Sequence, residues 1–205
     1  MPPHSPVPFD DLVLVERDTE SADALTSRVR LRARRGEHVT VINDAAEAAI
    51  DDVITKIPRR SFALALVDPF RIEFSLDAVR RLVTARRVDL IMLFADGMDL
   101  KRNLELAMSG DPAHAPRFDS AFGGADWRDL VVRGEPAGRS AGKLRELYLE
   151  RLRSVGFTHF GKPFLVKNSR GPEVYQLLYA TRADLGVKIW NECTKTAQLE
   201  FEGFC

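Results

Sequence analysis

The chain is expected to fold as an α/β protein whose sheet is mostly parallel, covered by helices and finished by a C-terminal antiparallel β-hairpin. Three observations carry that expectation. Four short apolar runs each give way to a stretch with helical spacing, and strands alternating with helices build a parallel sheet with right-handed crossovers. The third run, Phe62-Ala63-Leu64-Ala65-Leu66, is apolar without interruption, as a strand buried on both faces requires, and Val67-Asp68-Pro69-Phe70-Arg71 then stops it. Near the C-terminus, Phe164–Asn168 and Val174–Ala180 flank Ser169-Arg170-Gly171-Pro172, the spacing of a hairpin.

Residues 1–8 hold four prolines and are read as an extended arm, so the expected organisation is that arm followed by a single α/β domain over 9–205. The first strand is Leu12–Val15, ending at Glu16-Arg17-Asp18. Thr19 to about Arg35 carries Ala22, Leu25 and Val29 at helical spacing, with Gly36 to close the helix. His38–Ile42 is the second strand, ending at Asn43-Asp44. An alanine-rich helix is expected from Ala45 to about Ile57, stopped by Pro58. After the third strand, Ser75 is the expected N-cap of a helix bearing Leu76, Val79, Leu82 and Val83. Val88–Phe94 is the fourth strand, and Met98–Met108 is amphipathic. About 110–142 reads as an irregular, glycine-rich insertion. Lys143 to about Val155 is a helix closed by Gly156, and a last helix runs from about Ala183 to Thr196.

At 205 residues the chain is long enough for one full core. Lys+Arg and Asp+Glu are both 30 and the sequence pI is about 6.9, so no global field draws in a polyanion, and any nucleic-acid contact must be local. The arginines at 59, 60, 71, 80, 81, 86 and 87 read as solvated helix faces. Cys193 and Cys205 give neither a disulfide framework nor a metal quartet, and the four histidines are scattered, so no metal is expected. No apolar run is long enough to span a membrane and no leader pattern opens the chain, which makes a cytoplasmic location the expectation.

Three strand ends carry acids, Glu16, Asp44 and Asp68, and in one parallel sheet all three would project at the same edge. Glu16 suits the paired hydroxyls of a ribose, which a carboxylate accepts in bidentate fashion; its bland role is to cap the next helix or pair with Arg17 or Arg35. Asp44 suits an adenine amino group, or simply caps the helix behind it. Asp68, Pro69 and Phe70 form the candidate catalytic set, with the acid or a carbonyl accepting from a target nitrogen and the ring stacking on a planar substrate. The alternative is a strand-to-helix turn with Phe70 packed inward. Trp127 and Trp190 read as core or lid anchors.

Leu66-Val67-Asp68-Pro69-Phe70-Arg71-Ile72-Glu73, Val88-Asp89-Leu90 with Leu93-Phe94, Phe122-Gly123 with Asp126-Trp127, Tyr175–Thr181 and Ile189-Trp190 together resemble the three-Cys-motif partner (TcmP) family, over about Glu16 to Trp190. That family is similar to class I S-adenosylmethionine-dependent methyltransferases. The resemblance implies a Rossmann-like methyltransferase-type sheet, a cofactor site for S-adenosylmethionine at Glu16 and Asp44, and a partner protein carrying a three-cysteine motif. The chain departs from the pattern twice. Nothing before Phe9 supplies the family's first strand and its glycine-rich loop, through which the backbone approaches the cofactor, and Arg71 stands where glycine is usual. The absent strand belongs between those of Glu16 and Asp68. Either the chain is shortened at its N-terminus, which is the expectation, or the two edges close on each other.

The expected function is that of a TcmP-like methyltransferase relative acting on nucleic acid or on a partner-bound substrate. The alternative is a non-catalytic scaffold of the same shape that binds its three-Cys-motif partner.

Overall fold

Aliphatic residues place the first strand, β1 (Asp11–Glu16), and the carboxylate of Asp18 then accepts a hydrogen bond from the Ser21 amide at 2.8 Å, starting α1 (Thr19–Arg32). The computed structural model describes residues 9–32, 38–69, 72–94, 99–132, 135–167 and 173–202. The proline-rich arm, Gly36, Phe70, Arg71, the hairpin tip at 169–172 and Cys205 therefore lie outside the described residues. β2 (His38–Asn43) pairs parallel with β1, from Asp11 opposite His38 to Glu16 opposite Asn43. α2 is Ile50–Lys56, shorter than the helix expected from Ala45, because Asp44 accepts from the Ala45 amide and 46–49 form turns. These elements belong to one of two compact units, Met1–Ser61; Ala22, Ala49 and Ile50 are its buried apolar residues among those described.

The second unit, Phe62–Cys205, starts with β3 (Phe62–Val67), α3 (Leu76–Ala85) and β4 (Arg87–Phe94). The Ser75 hydroxyl caps α3 by accepting from the Ala78 amide at 3.1 Å, as the sequence predicts. There follow α4 (Asp99–Met108), α5 (Ala115–Phe122), a 3-10 turn at Asp126–Leu130, α6 (Ala137–Ser154), β5 (His159–Phe160), β6 (Phe164–Lys167), β7 (Glu173–Thr181) and α7 (Asp184–Glu202). The irregular insertion expected at 110–142 is thus largely helical. Its breakers sit at helix ends: Pro116 in the first turn of α5 and Gly123 past its last turn, at φ 72°.

The expectation of one mostly parallel sheet is corrected. β1 and β2 form a two-stranded sheet of their own, and the second sheet has the order β3-β4-β7-β5 with β6 also on β7. β3 and β4 run parallel, but β7 is antiparallel to β4, β5 and β6. A nine-residue strand that meets three others antiparallel makes this sheet mixed. The α/β class and the β6–β7 hairpin hold.

One face of the second sheet carries Val88, Leu90, Met92 and Phe94, all buried. Phe94 meets Tyr148 of α6 at 5.6 Å between ring centroids, and Phe122, Phe118 and Trp127 extend that aromatic group. The other face differs along its width. On its β7 side Tyr179 stacks on Trp190 of α7, 5.1 Å apart and 10° from parallel. On its β3 side Phe62, Leu64 and Leu66 are 80%, 47% and 68% exposed, so the doubly buried strand that the sequence predicts is covered on one face only. No described strand pairs with the outer edge of β3.

The aromatic group is tied by Asp119, whose Oδ1 accepts from Trp127 Nε1 at 2.8 Å and from the Arg128 guanidinium. Burial raises the pKa of Asp119, but these hydrogen bonds and the charge of Arg128 outweigh it and hold the carboxyl below its usual value. A lowered folded pKa contributes stability that is complete above the unfolded value, about 3.9, and is lost as pH falls through the folded one. Urea midpoints measured from about pH 6 downward should therefore fall more steeply for the native protein than for Asp119→Asn. Identical acid profiles would show that the carboxylate contributes nothing.

Candidate functional site

Glu16 and Asp44 are brought to one end of the two-stranded sheet. Glu16 is paired in register with Asn43, whose side-chain amide donates to the Glu16 carbonyl at 2.9 Å and the Arg17 carbonyl at 3.1 Å. This clamp ties the two strand ends together. Both acids are engaged locally: Glu16 Oε1 accepts from the Asp18 amide at 2.8 Å and Asp44 Oδ1 from the Ala45 amide at 2.7 Å. Each carboxylate thus supports a turn and retains a second oxygen for other donors.

Asp68 stands exposed just past the carboxyl end of β3, in the second unit. Pro69 lines a cavity of about 20 Å³ with Ile72, Glu73, Phe94, Ala121 and Tyr148, room for about one water molecule. Phe70 lies outside the described residues, so stacking by its ring is not described. Burial pushes the Tyr148 hydroxyl well above the usual tyrosine range, so it stays protonated beside Pro69. The three predicted acids therefore divide between two separate sheets, Glu16 and Asp44 in one and Asp68 in the other.

Sequence reasoning missed three features. Arg117, in the first turn of α5, brings its guanidinium to 3.9 Å from Glu73, a wall residue of that cavity. Only a helix through 115–122 puts Arg117 and Ala121 on one face, and the glycines nearby hid that helix. Next, the Tyr179 hydroxyl donates to Asp89 at 2.6 Å across β4 and β7, and its pKa is pushed up to about 12, first by burial and then by that carboxylate. Finally, an open groove of about 460 Å³ runs between Lys162, Pro163 and Phe164 and the α7 residues Asn191, Glu192, Thr194 and Lys195. Its size suits a small ligand, and its lining mixes the apolar Pro163 and Phe164 with the polar and charged Lys162, Asn191, Glu192, Thr194 and Lys195.

Among the described residues no group of three or more His, Cys, Asp or Glu could hold a metal ion, and no helix is long and apolar enough to cross a membrane. No family model, no curated protein and no solved structure matches the chain.

Proposed function

We propose that this chain is a methyltransferase-like protein of the three-Cys-motif partner kind, with its first strand and glycine-rich loop supplied upstream of residue 1. The observation that carries the reading is the topology of the second unit: parallel β3 and β4, then β7 antiparallel beside β4, with Asp68-Pro69 at the carboxyl end of β3. The class I methyltransferase architecture also ends its parallel sheet with antiparallel strands, and that likeness supports the reading. The uncovered apolar residues of β3 and its unpaired edge agree with a further strand and covering segment on that side. In this reading Glu16 and Asp44 are the first unit's candidate ligands for S-adenosylmethionine, Asp68 and Pro69 are the second unit's candidate contacts for a methyl acceptor, and that acceptor is a nucleic-acid base nitrogen or a substrate carried by a three-Cys-motif partner.

Calorimetric titration with S-adenosylmethionine, on this chain and on one extended upstream to include a glycine-rich segment, tests the proposal. The extended chain should bind and this one should not. Glu16→Ala should weaken binding about tenfold or more, the worth of a charge-assisted pair of hydrogen bonds. Absence of heat with the extended chain would end the enzyme reading. A second reading, a non-catalytic scaffold, is favoured by the local engagement of both Glu16 and Asp44. It predicts partner binding without cofactor, and methyl transfer that is absent before and after Asp68→Ala.

A further inference from the structure

The arginines that stabilise the helical side of the second unit have visible partners. Arg128 binds Asp119, Arg151 binds the Phe122 carbonyl and Asp126, Arg145 reaches Gln176, and Arg182 reaches the carbonyls of Gly156 and Val83. Arg117 breaks this pattern. Its Nε, Nη1 and Nη2 are all buried and have no hydrogen-bond partner among the described residues. Glu73 approaches Nη1 only to 3.9 Å, an electrostatic distance beyond hydrogen-bond reach. A buried guanidinium with five unused donors is among the most costly groups a fold can keep. Its place adds to the cost, because the first turn of a helix is the positive end of the dipole and disfavours a cation. An aliphatic side chain would satisfy the packing of α5 at lower cost.

We propose that Arg117 anchors an oxyanion subsite beside the carboxyl end of β3, gripping the carboxylate or phosphate of a ligand through its planar fork. Position supports this. Ala121, one turn further along α5, lines the small cavity that Pro69 and Glu73 also line, which puts Arg117 on the helix face directed toward the end of β3 without making it a lining residue. Glu73 is the internal stand-in: its carboxylate stays 3.9 Å from Nη1 and its side chain is 43% exposed, so an oxyanion reaches the buried guanidinium by displacing that side chain outward, the neighbouring cavity alone having room for about one water. A fork of parallel N–H groups suits a two-oxygen acceptor better than an ammonium would, which explains arginine here. The inference stands whether or not the chain transfers methyl groups.

The test uses the full chain, titrated separately with inorganic phosphate and with malonate, against chloride at matched ionic strength. The readouts are the Arg117 Nε–Hε resonance and the melting temperature. A saturable response to phosphate or malonate but not chloride is expected, and the anion that gives it identifies the ligand's acid group. Arg117→Gln should weaken that response about tenfold to a hundredfold, and Glu73→Gln should strengthen it by removing the competitor. Arg117→Met should leave the melting temperature level or raise it by about 2–4 °C, because a buried charge whose donors make no hydrogen bond is removed. The proposal is overturned if wild type and Glu73→Gln respond to neither anion, or respond to chloride equally. A merely structural ion pair would instead make Arg117→Met and Glu73→Gln both destabilising, with no anion response. The wild-type titration keeps the test decisive should an Arg117 variant fail to fold.

Discussion

Replacing Trp127 with alanine should lower the free energy of unfolding by about 3–5 kcal/mol, the range for emptying a fully packed aromatic site. Trp127 is 0% exposed, with Phe118 at 5.1 Å and Phe122 at 6.3 Å between ring centroids and the Arg128 guanidinium 4.5 Å above its face. Its indole N–H also satisfies Asp119, so truncation leaves both a cavity and a weakened polar tie between α5 and the 3-10 turn. Trp127→Phe separates the two effects. It retains most ring contact and removes one donor, so about 1–2 kcal/mol should be lost. Urea denaturation followed by circular dichroism measures both variants. A loss under about 1 kcal/mol for alanine would mean that this aromatic group does not hold the second unit together.

Gly161→Val should be the next most disruptive change, at about 1–3 kcal/mol for overpacking. A side-chain carbon built at Gly161 falls well inside contact distance of the Trp190 ring. That ring cannot simply swing aside: its Nε1 donates to the Lys162 carbonyl at 2.8 Å and its face lies on Tyr179. The clash should therefore loosen α7 from β7 while leaving the aromatic group around Trp127 intact. Hydrogen exchange should show faster opening at 184–197 with unchanged protection in α6. Uniform loss of protection across the second unit would show instead that α7 is not a separable element.

What could be read from the sequence depended on where breaking residues fall. Asp68-Pro69 ends β3 where expected, and Ser75 caps α3, because an acid-proline pair and a short hydroxyl side chain act within a few residues of themselves. Pro116 and Gly123-Gly124 misled for the same reason. They suggest irregular chain, yet they bound α5, and Gly123 sits so close to Leu76 that a side chain there would meet its Cδ2 at 2.6 Å. The place of β7 depends on partners far along the chain, which no local pattern encodes: Leu90 opposite Ala180, Phe160 opposite Ala180 from the other side. Of the candidate site, the strand-end acids were legible because chain direction puts them there. Arg117 was not, since its meaning lies in having no hydrogen-bond partner among the described residues, a property only of the folded chain.

The antiparallel strand at the middle of the second sheet also constrains synthesis. Residues 173–181 begin about eighty positions after the end of β4, so during translation β3 and β4 emerge with a backbone edge that β7 cannot yet occupy. That edge closes only once Thr181 has left the ribosome. Nascent fragments ending before Glu173 should be the species most prone to aggregate and most in need of chaperones, whereas the β1–β2 pair can form as soon as Asn43 clears the exit tunnel.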